Sequence, residues 1–273
     1  MTTLLSLAYS TCPNDTFAFF GLASGRVTCP GVAFQITLAD VETLNQAARN
    51  QTYDITKLSF AAMGHLRSRY RLLKSGAALG RGCGPLIVAR HGSHIASLPD
   101  STIAVPGMDT TACLLTGLYL GKPPHATAMT FDRIMPAVAA GDFDFGVIIH
   151  EGRFTYPEYG LTRILDLGEW WEQKTGLPVP LGCIAAGRHL DETVVNRVER
   201  AIADSIAFAF AHPDHTASYV REHAQEMAPA IIQQHIELYV NDFSLNIGAE
   251  GAAAVHTLFA MAETAGIISP LTV

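Results

Sequence analysis

The chain has 273 residues, of which 49% are hydrophobic and only 16% charged, with a net charge of −7. This composition excludes a disordered chain, and the length exceeds the usual single core, so two domains or lobes around a large core are expected. The eighteen Lys plus Arg form no long basic run. The densest stretch, Arg67-Ser68-Arg69-Tyr70-Arg71, is too short to track a nucleic acid and reads as the solvated end of a helix.

Strands and helices alternate through the first two thirds. Leu4 to Tyr9 reads as a strand, Thr11-Cys12-Pro13-Asn14-Asp15 as a turn, and Thr16 to Ala23 as a helix. Val32 to Leu38 is the next strand. Asp40 caps a helix to about Asn50 with Glu42 in its first turn. Asp54 to Leu58 is a short strand, Ser59 opens a helix, and Leu72 to Leu79 and Pro85 to Ala89 are further strands. A second series follows: strand Thr102 to Val105, turn Pro106 to Thr111, helix to Leu120, strand Ala126 to Thr130, helix Asp132 to Ala140, and the apolar run Phe143 to Ile149. Leu161 to Leu167, a short helix Gly168 to Lys174, and strand Val179 to Ala186 complete it.

After Gly187 the pattern becomes helical. Val195, Val198, Ile202, Ile206 and Ala209 share one face of a helix opened by Asp191 and Glu192, which stops at His212-Pro213. Asp214 caps another helix, Pro229 stands in a first turn, and a last helix runs from Ala249 to Thr264 before Gly266. The expected class is therefore α/β, with mainly parallel sheets flanked by helices and a helical C-terminal tail. Residues 1–90 with 186–273 form the larger lobe and 91–185 the smaller, with a cleft between them.

Five cysteines, at 12, 29, 83, 113 and 183, are widely spaced and include no Cys-x-x-Cys. Neither disulfides nor a zinc site is expected, and thiols in a reducing cytoplasm fit. No stretch reaches the ~20 apolar residues that span a bilayer. The first residues lack the pattern of a signal peptide. A cytoplasmic protein with no membrane or nucleic-acid partner is expected, and no oligomeric state is implied.

Three segments are expected to meet in the cleft. His150 follows the apolar run ending at Ile149, where a strand's carboxyl end delivers side chains to ligands. Its imidazole, with an ordinary pKa near ~6.5, is a proton acceptor at neutral pH. Glu151, Arg153 and Tyr156 follow closely and distinguish it from the other histidines. Ser59, with Lys57 nearby, opens a helix that either binds an anion or is simply capped. Thr110, Thr111 and Ala112 at another helix start form either a carboxylate cradle or an ordinary βα turn. Gly80-Arg81-Gly82-Cys83-Gly84-Pro85 leads into a strand, so it is no dinucleotide fingerprint but a hinge or a backbone surface against a ligand. His212 and His215 lack the further ligands a metal site needs.

Several motifs in order carry a resemblance: Thr11-Cys12-Pro13-Asn14-Asp15-Thr16-Phe17, Asp40 to Asn45, Thr56-Lys57-Leu58-Ser59, Thr110-Thr111-Ala112, His150 to Pro157, Gly176 to Gly182, and Tyr239 to Leu245. Together they resemble the 1,4-dihydroxy-6-naphthoate synthase family of menaquinone biosynthesis by the futalosine pathway. The resemblance implies a two-lobed, periplasmic-binding-protein-like (type II) fold. It implies a carbon–carbon lyase that converts cyclic dehypoxanthine futalosine, a small-molecule carboxylate, without metal or redox cofactor. His150 takes the place of the catalytic base. Lys57, Leu58, Ser59, Thr111 and Ala112, with Thr110 adjacent, take the places of substrate contacts. A chorismate dehydratase-like sister enzyme and a non-catalytic cytoplasmic binding protein of the same fold are the alternatives.

Overall fold

In the computed structural model, which describes residues 2–224 and 228–271, the chain folds around two β-sheets. In chain order the first elements are β1 (Thr3–Tyr9), α1 (Pro13–Ala23), β2 (Val32–Leu38), α2 (Val41–Arg49), β3 (Ile55–Ser59), α3 (Phe60–Leu66), β4 (Tyr70–Leu72) and β5 (Ala78–Gly80). The middle of the chain contributes β6 (Leu86–Arg90), β7 (Ile103–Val105), α4 (Thr111–Leu120), β8 (Ala126–Ala128), α5 (Phe131–Ala140), β9 (Phe145–Ile148), α6 (Gly152–Thr155), β10 (Leu161–Asp166) and α7 (Leu167–Thr175). The rest is β11 (Val179–Gly187), α8 (Glu192–Ala211), α9 (Pro213–His223), α10 (Pro229–Tyr239), α11 (Asp242–Leu245) and α12 (Gly248–Thr264).

The first sheet has the order β2-β1-β3-β11-β4, with β5 also paired to β11, and the second has the order β10-β6-β9-β7-β8. The βα units pair in parallel: β1 with β2 and β3, and β7 with β8 and β9. The strands on either side of each change of sheet run antiparallel to their neighbours: β6 to β9 and β10, and β11 to β3, β4 and β5. The sheets are therefore mixed rather than mainly parallel, because the chain enters and leaves the second sheet without a crossover helix of the βαβ kind.

Sheet membership also corrects the expected limits at 90/91 and 185/186. Residues 86–90 already belong to the second sheet and residues 179–187 to the first, so the changes of sheet fall at 81–85 and 167–178. An apolar run such as Leu86–Arg90 carries no mark of the sheet it will join. The expected strand Leu72 to Leu79 is two strands, β4 and β5. Between them Gly76 takes φ +86°, and its N–H bonds to Ser244 O at 2.8 Å, turning the chain against α11.

One apolar cluster lies between β1 and the helices α1, α8, α9 and α10 and includes Leu7, Phe19, Ile184, Ile202 and Ile236. α8 docks on α1 through Ser205, whose Oγ donates to Ala18 O at 2.7 Å and accepts from Leu22 N. A second cluster is continuous through both sheets, joining Leu58, Phe60, Ile87, Val105, Leu115, Trp171 and Leu258. The C-terminal helices therefore do more than cover the first sheet, since α12 packs against both β11 and α4. At the second change of sheet two backbones touch: a Cβ on Gly168 would lie 1.8 Å from Cys83 O. No helix among the described residues is long and apolar enough to cross a membrane.

Candidate active site

The carboxyl ends of β1 and β3 lie side by side, with Ala8 opposite Thr56. β3 runs directly into α3 and β1 reaches α1 through a three-residue turn, and the alternation of a strand sends Lys57 and Ser59 to one face and Leu58 to the other. Leu58 is accordingly fully buried in the apolar core, not on the wall of a site. α1 starts at Pro13, three residues before the expected Thr16, because proline is well placed in a first helical turn. This brings Asn14 and Asp15 into that turn. Lys57 Nζ lies 2.5 Å from Asp15 Oδ1, with both side chains buried. Ser10 N and Oγ donate to Asp15 Oδ2 at 3.1 and 2.6 Å, and Asn14 Nδ2 donates to Oδ1 at 2.8 Å. Lys57 is thus neutralised within the fold and does not present a free cation to an anion.

Ser59 is the N-cap residue of α3, but its side chain does not cap the helix. Its Oγ accepts from Asn45 Nδ2 at 3.1 Å, and its N–H donates to Asn45 Oδ1 at 2.9 Å. α2, capped by Asp40 as expected, also grips the turn before α4. Arg49 Nε donates to Asp109 Oδ2 at 2.9 Å, and Gln46 Nε2 donates to the same oxygen at 3.0 Å.

At the α4 start both threonine hydroxyls bond within the fold. Thr110 Oγ1 donates to Gly107 O at 2.7 Å and accepts from Cys113 N. Thr111 Oγ1 donates to Leu181 O at 2.7 Å and accepts from Ala61 N. Both hydroxyl protons are committed to the fold. The intrahelical ladder begins at Leu114 N, which bonds to Thr110 O. The N–H groups of Thr111 and Ala112 are the donors that a helix leaves open in its first turn, and both residues line the cavity described next.

That cavity is a cleft with about 640 Å³ of empty space, part of it open to solvent. Its wall includes Lys57, Ser59, Thr110, Thr111, Ala112 and His150, so of the expected site residues only Leu58 lies elsewhere. β9 ends at Ile148, and His150 follows with φ +55°, a left-handed conformation uncommon outside glycine. The ring lies 5.0 Å from that of Phe131 and 5.9 Å from that of His235. Cys12 Sγ is 3.5 Å from Nδ1. Burial, opposed in part by the charge of Asp15, pushes the His150 pKa down to about 4. The imidazole is neutral at pH 7 and free to take a proton. Burial, with Asp15 nearby, pushes the Cys12 thiol up to about 12, so it is a neutral neighbour rather than a nucleophile.

The residues that made His150 distinctive in the sequence do not surround it in space. Arg153 Nη2 pairs with Asp166 Oδ2 at 2.5 Å and Nη1 donates to Gly84 O at 2.9 Å, fastening the second change of sheet. Tyr156 packs on the apolar cluster beneath α5, and Glu151 lines a separate cleft with Asp132 and Glu158. The groups that do face the cavity, Asn14, Asp15, His235 and Tyr239, come from α1 and α10. Asn14, Asp15 and Tyr239 stood inside resembling motifs without an assigned role. His235 had no local signal, because its partner Asn14 is 221 residues away.

Similarity to known proteins gives the family and the fold. A family model described as menaquinone biosynthesis matches residues 5–264. The chain is 49% identical over 267 residues to the 1,4-dihydroxy-6-naphtoate synthase of Thermus thermophilus, covering 97% of this chain and 96% of that one. It is 44% identical over 273 residues to the protein of the same name from Streptomyces coelicolor, covering 98% and 95%. A solved structure from Archaeoglobus fulgidus has a TM-score of 0.91 at 37% identity, covering 97% of this chain and 98% of that one. The periplasmic aliphatic sulphonate binding protein of Escherichia coli shares the fold, with a TM-score of 0.66 at 13% identity and coverage of 99% and 90%. The architecture is thus periplasmic-binding-protein-like, and the chain belongs to the menaquinone-biosynthesis family.

Proposed function

We propose that the cavity binds cyclic dehypoxanthine futalosine and converts it to 1,4-dihydroxy-6-naphthoate, with His150 as general base. The observation that carries this reading is a neutral imidazole on the wall of a cavity that is also lined by a helix start with open N–H groups. The names of the two bacterial relatives support the same reaction. The aromatic carboxylate is held by the N–H groups of Thr111 and Ala112, where the helix dipole favours negative charge. Ser59 adds a hydroxyl on the adjoining wall. His150 removes a proton from the substrate, a carbon–carbon bond to the sugar-derived part breaks, and a small fragment leaves as the naphthalene ring becomes aromatic. General-base assistance of this kind contributes ~10²–10⁴-fold. Closure of the two halves around the ligand orients it and keeps water out.

The reading places the protein in the cytoplasm, where five free thiols are compatible with a reducing medium. The test is to incubate the purified protein with cyclic dehypoxanthine futalosine and follow 1,4-dihydroxy-6-naphthoate by absorbance and mass. Product is expected. Tight binding without product points to a sensor, and conversion of chorismate instead points to the dehydratase reaction.

A further inference from the structure

His235 is a polar group on the cavity wall that the chemistry above leaves unused. It is carried by α10, is only 1% exposed, and lies nearly parallel to His150 with an interplanar angle of 19°. Its tautomer follows from its neighbours. The Asp15 carboxylate, paired with Lys57, accepts from Asn14, so the Asn14 amide nitrogen faces Asp15 at 2.8 Å. The Asn14 carbonyl oxygen therefore faces His235 Nε2 at 3.0 Å, and Nε2 must carry the proton. Nδ1 is left as a lone-pair acceptor, and it is buried without a hydrogen-bond partner. Burial, reinforced by His150 and Lys57, disfavours the protonated ring, so a proton does not satisfy that lone pair either.

Buried polar atoms without partners are few in native proteins. Packing against Tyr239, whose ring centroid is 4.6 Å away, accounts for an aromatic ring here. It does not account for an imidazole locked in one tautomer by an oriented amide. The missing partner is a hydrogen-bond donor. A cationic donor is disfavoured, because the nearby Asp15 is already paired with Lys57. A neutral hydroxyl fits.

We propose that His235 contacts the substrate, its Nδ1 accepting a hydrogen bond from a ligand hydroxyl beside the point where His150 acts. His235 thereby selects a hydroxylated ligand over its deoxy analogue. The inference rests on the reading of this cavity as the synthase site.

The test uses the full-length protein with ¹⁵N-labelled histidine and cyclic dehypoxanthine futalosine as the probe. In the free protein His235 shows a protonated Nε2 and a bare Nδ1, and the Nδ1 resonance moves upfield when the probe or its product binds. His235→Phe raises KM roughly tenfold, the loss of about one hydrogen bond, with a smaller change in kcat. His235→Asn, which keeps an acceptor near the Nδ1 position, restores part of that loss. An Nδ1 resonance that ignores the ligand, in a protein that turns the probe over, overturns the inference alone, even if His235→Phe fails to fold. Unchanged kinetics in a folded His235→Phe protein does the same. An unmodified protein that neither binds nor converts the probe overturns the reading of the site, and this inference with it.

Discussion

The two walls of the cavity are built differently. On the first-sheet side, Ser10, Asn14, Asp15, Lys57 and Ser59 are buried and bonded to one another or to Asn45. On the second-sheet side, one histidine in a left-handed conformation and the first residues of a helix line the cavity. The polar groups of the first wall are largely committed to one another, whereas the proposed base stands on the second. Charge in a site is thus no guide to function by itself: the buried lysine and aspartate pair with each other, while the group proposed to act is a neutral imidazole.

That contrast can be broken at the ion pair. Asp15→Asn leaves Lys57 buried without its carboxylate, and breaking a buried pair this way costs about 3–5 kcal/mol. A denaturant melt checks it, and a loss below about 1 kcal/mol would mean that the wall is not held by this pair. Gly168→Ala comes next. Its methyl would meet Cys83 O at 1.8 Å, and overpacking of this kind costs about 1–3 kcal/mol. The same melt reports it, and an unaffected protein would show that the change of sheet yields easily.

Acid sharpens the comparison from the other wall. His150 has a folded pKa of about 4 against an ordinary 6.5, so the unfolded chain takes up the proton first as pH falls. Stability is therefore lost between about pH 6.5 and 4, and His235 adds to the loss in the same direction. Melts of the unmodified protein and His150→Ala over this range should differ, with the variant less acid-sensitive. The kcat/KM profile should stay level on lowering pH from 7 and fall only as His150 takes its proton near about 4. A fall centred at the ordinary histidine value would contradict a base whose pKa the cavity lowers. The smallest effect is expected at Cys12, the N-cap residue of α1, whose side chain makes no capping bond. Cys12→Ser should gain about 0.5–1 kcal/mol as a better cap, with turnover changed only a few-fold. A large loss of turnover would give the thiol a larger part beside His150.

Much of this was legible in the sequence where local chemistry decides. Val32–Leu38 is the strand expected, and Asp40 and Asp191 cap the helices that their positions announced. His150 reaches the cavity because an apolar strand ends just before it. What local pattern could not carry was the pairing of distant parts. The roles of Lys57 and the two threonine hydroxyls were decided by Asp15, Gly107 and Leu181. Glu151, Arg153 and Tyr156 adjoin His150 along the chain, but the helical turns that follow carry them off the cavity wall. The sheet joined by residues 86–90 depended on partners some sixty to eighty residues further on.

The most direct measurement of the central claim is turnover of cyclic dehypoxanthine futalosine by His150→Ala beside the unmodified protein, with binding and melting recorded on the same samples. The variant is expected to melt normally at neutral pH and still bind the substrate, while product formation falls by ~10²–10⁴-fold. A folded variant that turns over at nearly the unmodified rate would contradict it and move the base to another residue of the wall.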